Sequence, residues 1–99
     1  MASKRLAAAV LFGENLRRLR KRAGLAQEAL AFRAGLHPTA IGQIERGERV
    51  PRMDTIVRLT GSLQVPVQEL FLGITWQPAR ATPGSFEETP PQGTDRSGR

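Results

Sequence analysis

Along residues 9–73, apolar side chains recur with the spacing of helices that bury one face. The first predicted helix, over residues 9–22, shows this pattern most clearly. Its apolar stripe follows the spacing i, i+4, i+7, i+11 and consists of Phe12, Leu16, Leu19 and Ala23. Arginine and lysine cover much of its remaining surface, and Gly24 ends it. The pattern therefore predicts an amphipathic helix with a basic outer surface.

The most specific local pattern lies around Gly35, where two short predicted helices over residues 27–34 and 38–46 meet. Their apolar positions are Ala29, Leu30 and Ala34 in the first helix and Ile41 and Ile44 in the second. Because only three residues separate the helices, we expect a left-handed backbone at Gly35. Pro38 suits the first turn of a helix, where its missing N–H has no partner anyway. This spacing predicts a helix-turn-helix, whose second helix can lie in the major groove of DNA.

Two further helices complete the predicted domain, which spans residues 9–73. The inward side of a helix over residues 53–63 consists of Ile56, Val57, Leu59 and Leu63. A short fifth helix is predicted after Pro66. It would close the core with Val67, Leu70 and Phe71. The predicted fold class is therefore all-α, with five helices.

Residues 74–99 are predicted to form a short segment after the last helix and then a disordered tail. From residue 77 onwards, the chain contains four of its seven prolines and almost no aliphatic side chains. Such a segment buries too little apolar surface to offset its ordering entropy. The folded part, about seventy residues, is close to the lower limit for independent stability, which favours dimerisation.

The charge of +6 lies entirely within residues 1–73, which hold twelve Lys or Arg against six Asp or Glu, whereas residues 74–99 hold three of each. A basic compact domain suits a polyanion, either nucleic acid or an anionic membrane surface. The membrane surface is disfavoured, because the first helix has no bulky apolar face beyond its core stripe. The apolar residues 6–12 are also too few for a membrane span or a convincing signal peptide. We therefore expect a soluble, intracellular protein.

Residue types that carry catalysis are scarce. The chain has no cysteine and a single histidine, His37, so it lacks the parts of a zinc site or a nucleophilic triad. It also has no glycine-rich phosphate loop. We expect no enzyme activity, no cofactor and no metal.

Residues 12–73 together resemble the Cro/repressor-type (XRE-like) helix-turn-helix family of bacterial and phage regulators. The matching positions are Leu25, Ala26, Gln27, Leu30, Ala31, Gly35, Ile41, Ile44, Glu45 and Gly47, followed by Pro51, Thr55, Ile56, Leu59, Leu63, Val65, Glu69, Leu70 and Phe71. The resemblance implies a five-helix lambda-repressor-like domain that binds duplex DNA as a homodimer. It also implies a sequence-specific transcriptional regulator that acts as a repressor.

The resemblance also implies roles for individual residues. The positions that face base edges are Pro38, Thr39, Gly42 and Gln43. Gln43 is the best reader among them, because an outward amide can pair with adenine N6 and N7. The expected phosphate contacts are Gln27, His37, Arg46, Arg49 and Arg52. Arg20 and Glu45 match a structural ion pair between the first and third helices. For the run of basic residues at 17–22, a solvated surface and phosphate contact stay open.

The dimer interface is expected at the C-terminal edge of the domain. Its predicted members are Phe71, Leu72, Ile74 and Trp76. These side chains could instead only cap the core, but an exposed Trp76 favours an interface.

Three positions depart from the family pattern. Ala26 stands where a capping hydroxyl is usual, which loses about 1 kcal/mol. Gly42 lies inside a helix, at a cost of about 1 kcal/mol relative to alanine. Gln64 replaces a glycine before the fifth helix. The main alternative function is an antitoxin or accessory regulator whose tail folds on a protein partner, and residues 85–88 are the candidate segment.

Overall fold

The computed structural model describes residues 6–79 and 85–87. In this part of the chain it contains α1 (Ala7–Arg22), α2 (Gln27–Ala34), α3 (Pro38–Glu45), α4 (Met53–Leu63), a 3₁₀ helix (Val67–Phe71), β1 (Thr75–Gln77) and β2 (Ser85–Glu87). The mostly helical fold agrees with the sequence prediction, and the first four helices lie within two residues of their predicted bounds.

The predicted fifth α-helix is a single 3₁₀ helix, so the described residues contain four α-helices and not five. The segment has only five residues between Pro66 and the turn at Leu72 and Gly73. It is held by contacts of the i→i+3 type, such as the Glu69 N–H that donates to the Pro66 carbonyl at 3.0 Å. Five residues allow too few i→i+4 bonds to favour an α-helix, and 3₁₀ geometry suits such short pieces.

The prediction of disorder from residue 77 onwards is wrong at Ser85–Glu87. These residues form strand β2, which pairs antiparallel with β1, so that Trp76 lies opposite Phe86. Composition missed the pair because a two-stranded ladder is built from backbone hydrogen bonds, which proline content and scarce aliphatic residues do not report. The rest of the predicted tail, residues 80–84 and 88–99, lies outside the described residues, as do residues 1–5.

A single apolar cluster holds the helices together. Its most deeply buried side chains are Leu16, Leu19, Leu30, Ile41, Ile44, Leu59 and Leu70. At the edge of this cluster, the rings of Phe12 and Phe71 meet edge to face, with centroids 5.4 Å apart. Val57 and Val67, which the sequence placed inward, are exposed, because the core of this small domain covers a narrower stripe of each element than the pattern suggested.

Gly13 brings α1 and α3 into backbone contact. A Cβ atom at this position would lie 2.2 Å from the Ile44 carbonyl oxygen and 2.6 Å from that of Glu45. The two helices can cross this closely only because residue 13 has no side chain. This close crossing fixes the position and direction of α3 relative to the rest of the domain.

Candidate nucleic-acid interface

The connection between α2 and α3 is fixed at both ends. Gly35 adopts φ +68°, in the left-handed region, and the Leu36 N–H donates to the Ala31 carbonyl at 2.8 Å. At the other end, the imidazole Nδ1 of His37 accepts a hydrogen bond from the Thr39 N–H at 3.2 Å. His37, expected to contact a phosphate, therefore caps α3 and remains exposed. The sharp turn predicted at Gly35 is present.

Helix α3 has one buried face and one outward face. Ala40, Ile41 and Ile44 are buried against the core. On the outward side, Pro38 and Thr39 are exposed and Gln43 is half-buried. Three of the four positions that the family resemblance placed against base edges therefore lie on an accessible surface.

Gly42, the fourth of those positions, is buried. A Cβ atom there would lie 3.1 Å from Nη1 of Arg46, so the Arg46 guanidinium lies across this part of α3. Gly42, which the resemblance placed among the positions that face base edges, is therefore covered by the side chain of Arg46. The absence of a side chain at Gly42 makes room for Arg46.

A buried polar network joins α1, α2 and α3. Arg20 donates from Nε to Glu45 Oε2 at 2.5 Å and from Nη2 to Glu45 Oε1 at 3.0 Å. Its third nitrogen, Nη1, donates to the Leu25 carbonyl at 2.8 Å. Gln27 donates from Nε2 to Glu45 Oε1 at 3.0 Å. The hydrogen bonds that Arg20 donates to Glu45 raise the pKa of the Arg20 guanidinium further above its ordinary value.

This network orients the N-terminus of α2. One N–H of the Gln27 amide is held by Glu45, which leaves the second for an outside acceptor. Gln27 was expected to contact a phosphate, and it can do so without leaving Glu45. The ion pair and the amide therefore act as one unit that ties the helix-turn-helix to α1.

Arginines gather around the turn that follows α3. Arg46 makes two hydrogen bonds to Glu48, from Nε at 2.9 Å and from Nη2 at 3.2 Å, and these raise the pKa of its guanidinium. Arg49 donates to Gln43 Oε1 at 3.3 Å. Arg52 lies 3.5 Å from Asp54, and both side chains are largely exposed. A phosphate at Arg46 or Arg52 would therefore compete with a carboxylate already in place.

A second accessible surface, which we call the apolar edge, lies at the C-terminal side of the domain. Among the predicted interface residues, Phe71, Leu72 and Trp76 are exposed, whereas Ile74 is partly buried against the core. The apolar edge also contains Leu6 and Val50, which line a cavity of about 220 Å³ together with Phe71 and Ile74.

Sequence reasoning missed part of the exposed apolar surface. Met53 and Val57 on α4 are 80% and 64% exposed. Their spacing of four residues places them on one face of the helix. This spacing, beside the apolar stripe predicted to face inward, is the sequence signal that could have revealed the exposed apolar face of α4.

Potential metal ligands are not clustered in the part of the chain that the structure describes. Within residues 6–79 and 85–87, no three of the His, Asp and Glu side chains come together in a group that could hold an ion. In the same part of the chain, no helix is both long and apolar enough to cross a bilayer.

A short helix pair with a glycine turn, an outward second helix and surrounding arginines together define a helix-turn-helix DNA-binding domain. The chain belongs to the helix-turn-helix family, whose model matches residues 16–70. The resemblance predicted from the sequence is thereby confirmed.

Named relatives agree with this assignment. The chain is 39% identical over 63 residues to control protein C.BamHI of Bacillus amyloliquefaciens, an alignment that covers 63% of this chain and 78% of that protein. The crystal structure of the restriction-modification controller protein C.AhdI from Aeromonas hydrophila matches with a TM-score of 0.64 and 43% identity, covering 66% of this chain and 98% of that one. The biofilm regulator SinR, solved in complex with DNA, matches with a TM-score of 0.58 and 27% identity over 60% of this chain and 95% of that one. The chain is a DNA-binding transcriptional regulator.

Proposed function

We propose that the chain binds an operator in duplex DNA as a homodimer, with α3 in the major groove, and represses transcription by occupying promoter DNA. The observation that carries this proposal is the division of α3 into two faces. Its apolar residues are buried, whereas Thr39 and Gln43 are accessible and can hydrogen-bond base edges. A helix held in this way needs no further rearrangement to enter a groove.

The surroundings of α3 supply the contacts that position it. Gln27 and His37 lie at the N-termini of α2 and α3, where backbone N–H groups favour a phosphate. Arg46, Arg49 and Arg52 lie beyond the other end of α3. Each cation that neutralises a phosphate should steepen the dependence of log K on log salt by about 0.9. We propose these five residues as backbone contacts, and Pro38, Thr39 and Gln43 as the residues that face bases.

The dimer is proposed to form through the apolar edge and the exposed residues of α4. A two-fold dimer reads half-sites about 34 Å apart, so the two copies of α3 must be held at that distance. Besides Phe32 and Val67, the large apolar side chains that the described part of one domain leaves exposed are Leu6, Val50, Met53, Val57, Phe71, Leu72 and Trp76. A second copy of this chain would cover them.

Selection of bound DNA from a random duplex pool tests the proposal. We expect a palindromic consensus with half-site centres about 10 base pairs apart. An unpaired half-site would contradict the dimer, and recovery of random sequences would contradict sequence-specific binding. Transcription from a promoter that carries the selected site should fall when the protein is added, and a rise would contradict repression.

A separate measurement tests the interface. Met53→Glu combined with Val57→Glu should give monomers in sedimentation that bind a single half-site weakly, because charges would be buried between the copies. Phe71→Ala with Trp76→Ala should act similarly, although Phe71 also contacts Phe12, so circular dichroism must show that the fold survives. Phe32→Ala is the matched control, because Phe32 is 87% exposed on α2. A dimer that survives both double substitutions would place the interface elsewhere.

Control of restriction-modification genes is a second candidate role, supported by the likeness to C.BamHI and C.AhdI. It predicts that the selected site occurs upstream of the gene for this chain or of neighbouring restriction and modification genes. The antitoxin alternative depended on residues 85–88 folding on a partner. Ser85–Glu87 already pair with β1 in the isolated chain, and residue 88 lies outside the described part. We propose that the protein, as a regulator bound to DNA in either of these roles, lies at the nucleoid in the bacterial cytoplasm.

A further inference from the structure

We propose that Arg49 sets the base preference of Gln43, and that the pair reads guanine and not the adenine expected for a glutamine acting alone. This inference depends on the proposed entry of α3 into the major groove. It gives Arg49, predicted from the sequence only as a phosphate contact, a second role as a positioning residue. It also identifies which end of the Gln43 amide faces the base.

The backbone after α3 places Arg49 beside Gln43. Gly47 adopts φ +74°, a left-handed conformation that reverses the chain at the end of the helix. The Glu48 N–H then donates to the Gln43 carbonyl at 2.9 Å, and the Gly47 N–H donates to the Ile44 carbonyl at 3.0 Å. Because these bonds close the turn, the residue after Glu48 is returned to the side of Gln43.

The chemistry of the two side chains fixes the orientation of the amide. A guanidinium has only donors, so the Gln43 atom that Arg49 Nη1 meets at 3.3 Å is the acceptor Oε1. The Nε2 amino group therefore lies at the opposite end. Gln43 is half-buried on α3, which limits the other positions that its amide can take.

Arg46 does not compete for this oxygen. Two of its nitrogens are held by Glu48, and its Nη1 lies against Gly42. The two arginines of the turn therefore have different partners: Arg46 is paired with a carboxylate, and Arg49 with the amide of the base-reading residue. Only Arg49 changes what Gln43 can offer to DNA.

A donor-rich pair discriminates between the two purines. Bidentate reading of adenine needs an acceptor for N6 and a donor for N7, whereas guanine presents two acceptors, O6 and N7. With its oxygen engaged and a positive charge beside it, Gln43 offers Nε2–H groups, and the adenine N6 amino group would approach a cation. Guanine, with two acceptors, suits the free N–H groups of both side chains.

The test compares base preferences of the full-length protein and three variants by selection from a random duplex pool. The position read by Gln43 is the one whose preference disappears in Gln43→Ala. At that position we expect guanine for the unchanged protein and adenine for Arg49→Ala, since the freed amide can then pair with N6 and N7. Arg49→Ala in the Gln43→Ala background should produce no further change in preference, because Arg49 acts through Gln43.

Affinities for duplexes that differ only at this base pair give the magnitude. Guanine should be bound at least about fivefold more tightly than adenine by the unchanged protein, and the order should reverse in Arg49→Ala. Arg52→Ala is the matched control, because it removes another exposed arginine near α3 and should weaken both duplexes equally. Circular dichroism melts verify that each variant is folded.

The outcomes separate this inference from the function on which it rests. Adenine selected by the unchanged protein, or an equal loss for both duplexes in Arg49→Ala, would overturn the positioning role of Arg49 while leaving sequence-specific binding intact. Failure of the unchanged protein to select any sequence would overturn the proposed function itself, and this inference with it.

Discussion

Replacement of Glu45 by alanine should destabilise the domain by about 3 kcal/mol, because it breaks a buried ion pair. The side chains of Arg20 and Glu45 are only 10% and 2% exposed, and two hydrogen bonds join them. Without the carboxylate, Arg20 keeps only the Leu25 carbonyl. Gln27 also loses the acceptor of its amide.

The size of this destabilisation follows from the hydrogen-bond partners that Arg20 and Gln27 retain. Breaking a buried pair by removing one partner usually costs about 3–5 kcal/mol. The lower end applies here, because Arg20 retains one acceptor and Gln27 is only partly buried. For a domain of this size, a loss of about 3 kcal/mol lowers the melting temperature by roughly 12–24 °C.

Thermal and urea melts followed by circular dichroism measure the effect. The proteins are Glu45→Ala, Arg20→Leu and the double variant, all at one protein concentration, because a dimer makes melting concentration-dependent. The double variant should recover part of the loss of Glu45→Ala, since no unpaired cation remains. Arg52→Ala is the control, as it removes an exposed pair and should shift stability by less than about 0.5 kcal/mol. Strictly additive losses, or no loss in Glu45→Ala, would refute the reasoning.

Three other expectations concern backbone positions, each measured by melting temperature at fixed concentration. Gly13→Ala should lower the free energy of unfolding by about 3 kcal/mol, because its Cβ would clash with the Ile44 carbonyl. Gly61→Ala should raise it by about 0.5–1 kcal/mol, because nothing lies within 4 Å of a Cβ atom there. Equal effects of the two substitutions would contradict the close crossing of α1 and α3. Ala26→Ser should raise the free energy of unfolding by about 1 kcal/mol, because residue 26 occupies the N-cap of α2 without a capping side chain. A decrease in the free energy of unfolding would argue against this cap geometry. Gln64→Gly should raise the free energy of unfolding by about 0.5–1 kcal/mol, because glycine adopts the left-handed φ of +56° without strain. A decrease would show that the Gln64 side chain stabilises the fold by more than its backbone conformation costs.

Apolar periodicity, together with glycine and proline at the helix ends, predicted the helices that build the nucleic-acid interface. The apolar stripe that contains Leu16 and Leu19, the glycine at position 35 and the proline at position 38 each report a local backbone or burial requirement. Such requirements are readable because they recur at fixed spacing or restrict φ. The structure has these helices within two residues of the predicted bounds.

Features that depend on side chains meeting across the turn after α3 could not be read in the same way. The sequence analysis placed Gly42 among the positions that face base edges and gave Arg49 only a phosphate role. The structure has Arg46 lying across Gly42 and Arg49 bonded to Gln43. The contact of Arg49 with Gln43 depends on the left-handed Gly47, which returns the chain to α3, and no periodic pattern reports which partner that arginine then chooses. The roles in DNA binding stay predictions.

Strand β2 escaped prediction for a related reason. Three residues are too few to show an alternating pattern, and the pairing partner, Thr75–Gln77, is separated by seven residues that give no regular signal. A pairing of this kind is specified by the register between two segments and not by either one alone.

The hydrogen bonds of the Asn15 side chain affect the order in which the molecule assembles during synthesis. Its side-chain amide donates to the carbonyls of Leu70 and Leu72, both at 2.9 Å, so the first helix is bonded to residues 55 and 57 positions later in the chain. A ribosome that adds about 5–20 residues per second needs roughly 3–11 s to cover that separation. During this interval α1 has been made but its partner has not, and its apolar stripe depends on the helices in between for cover. The nascent chain therefore completes its native contacts only after Leu72 has left the ribosome, and loss of the last turn would leave Asn15 without these two acceptors.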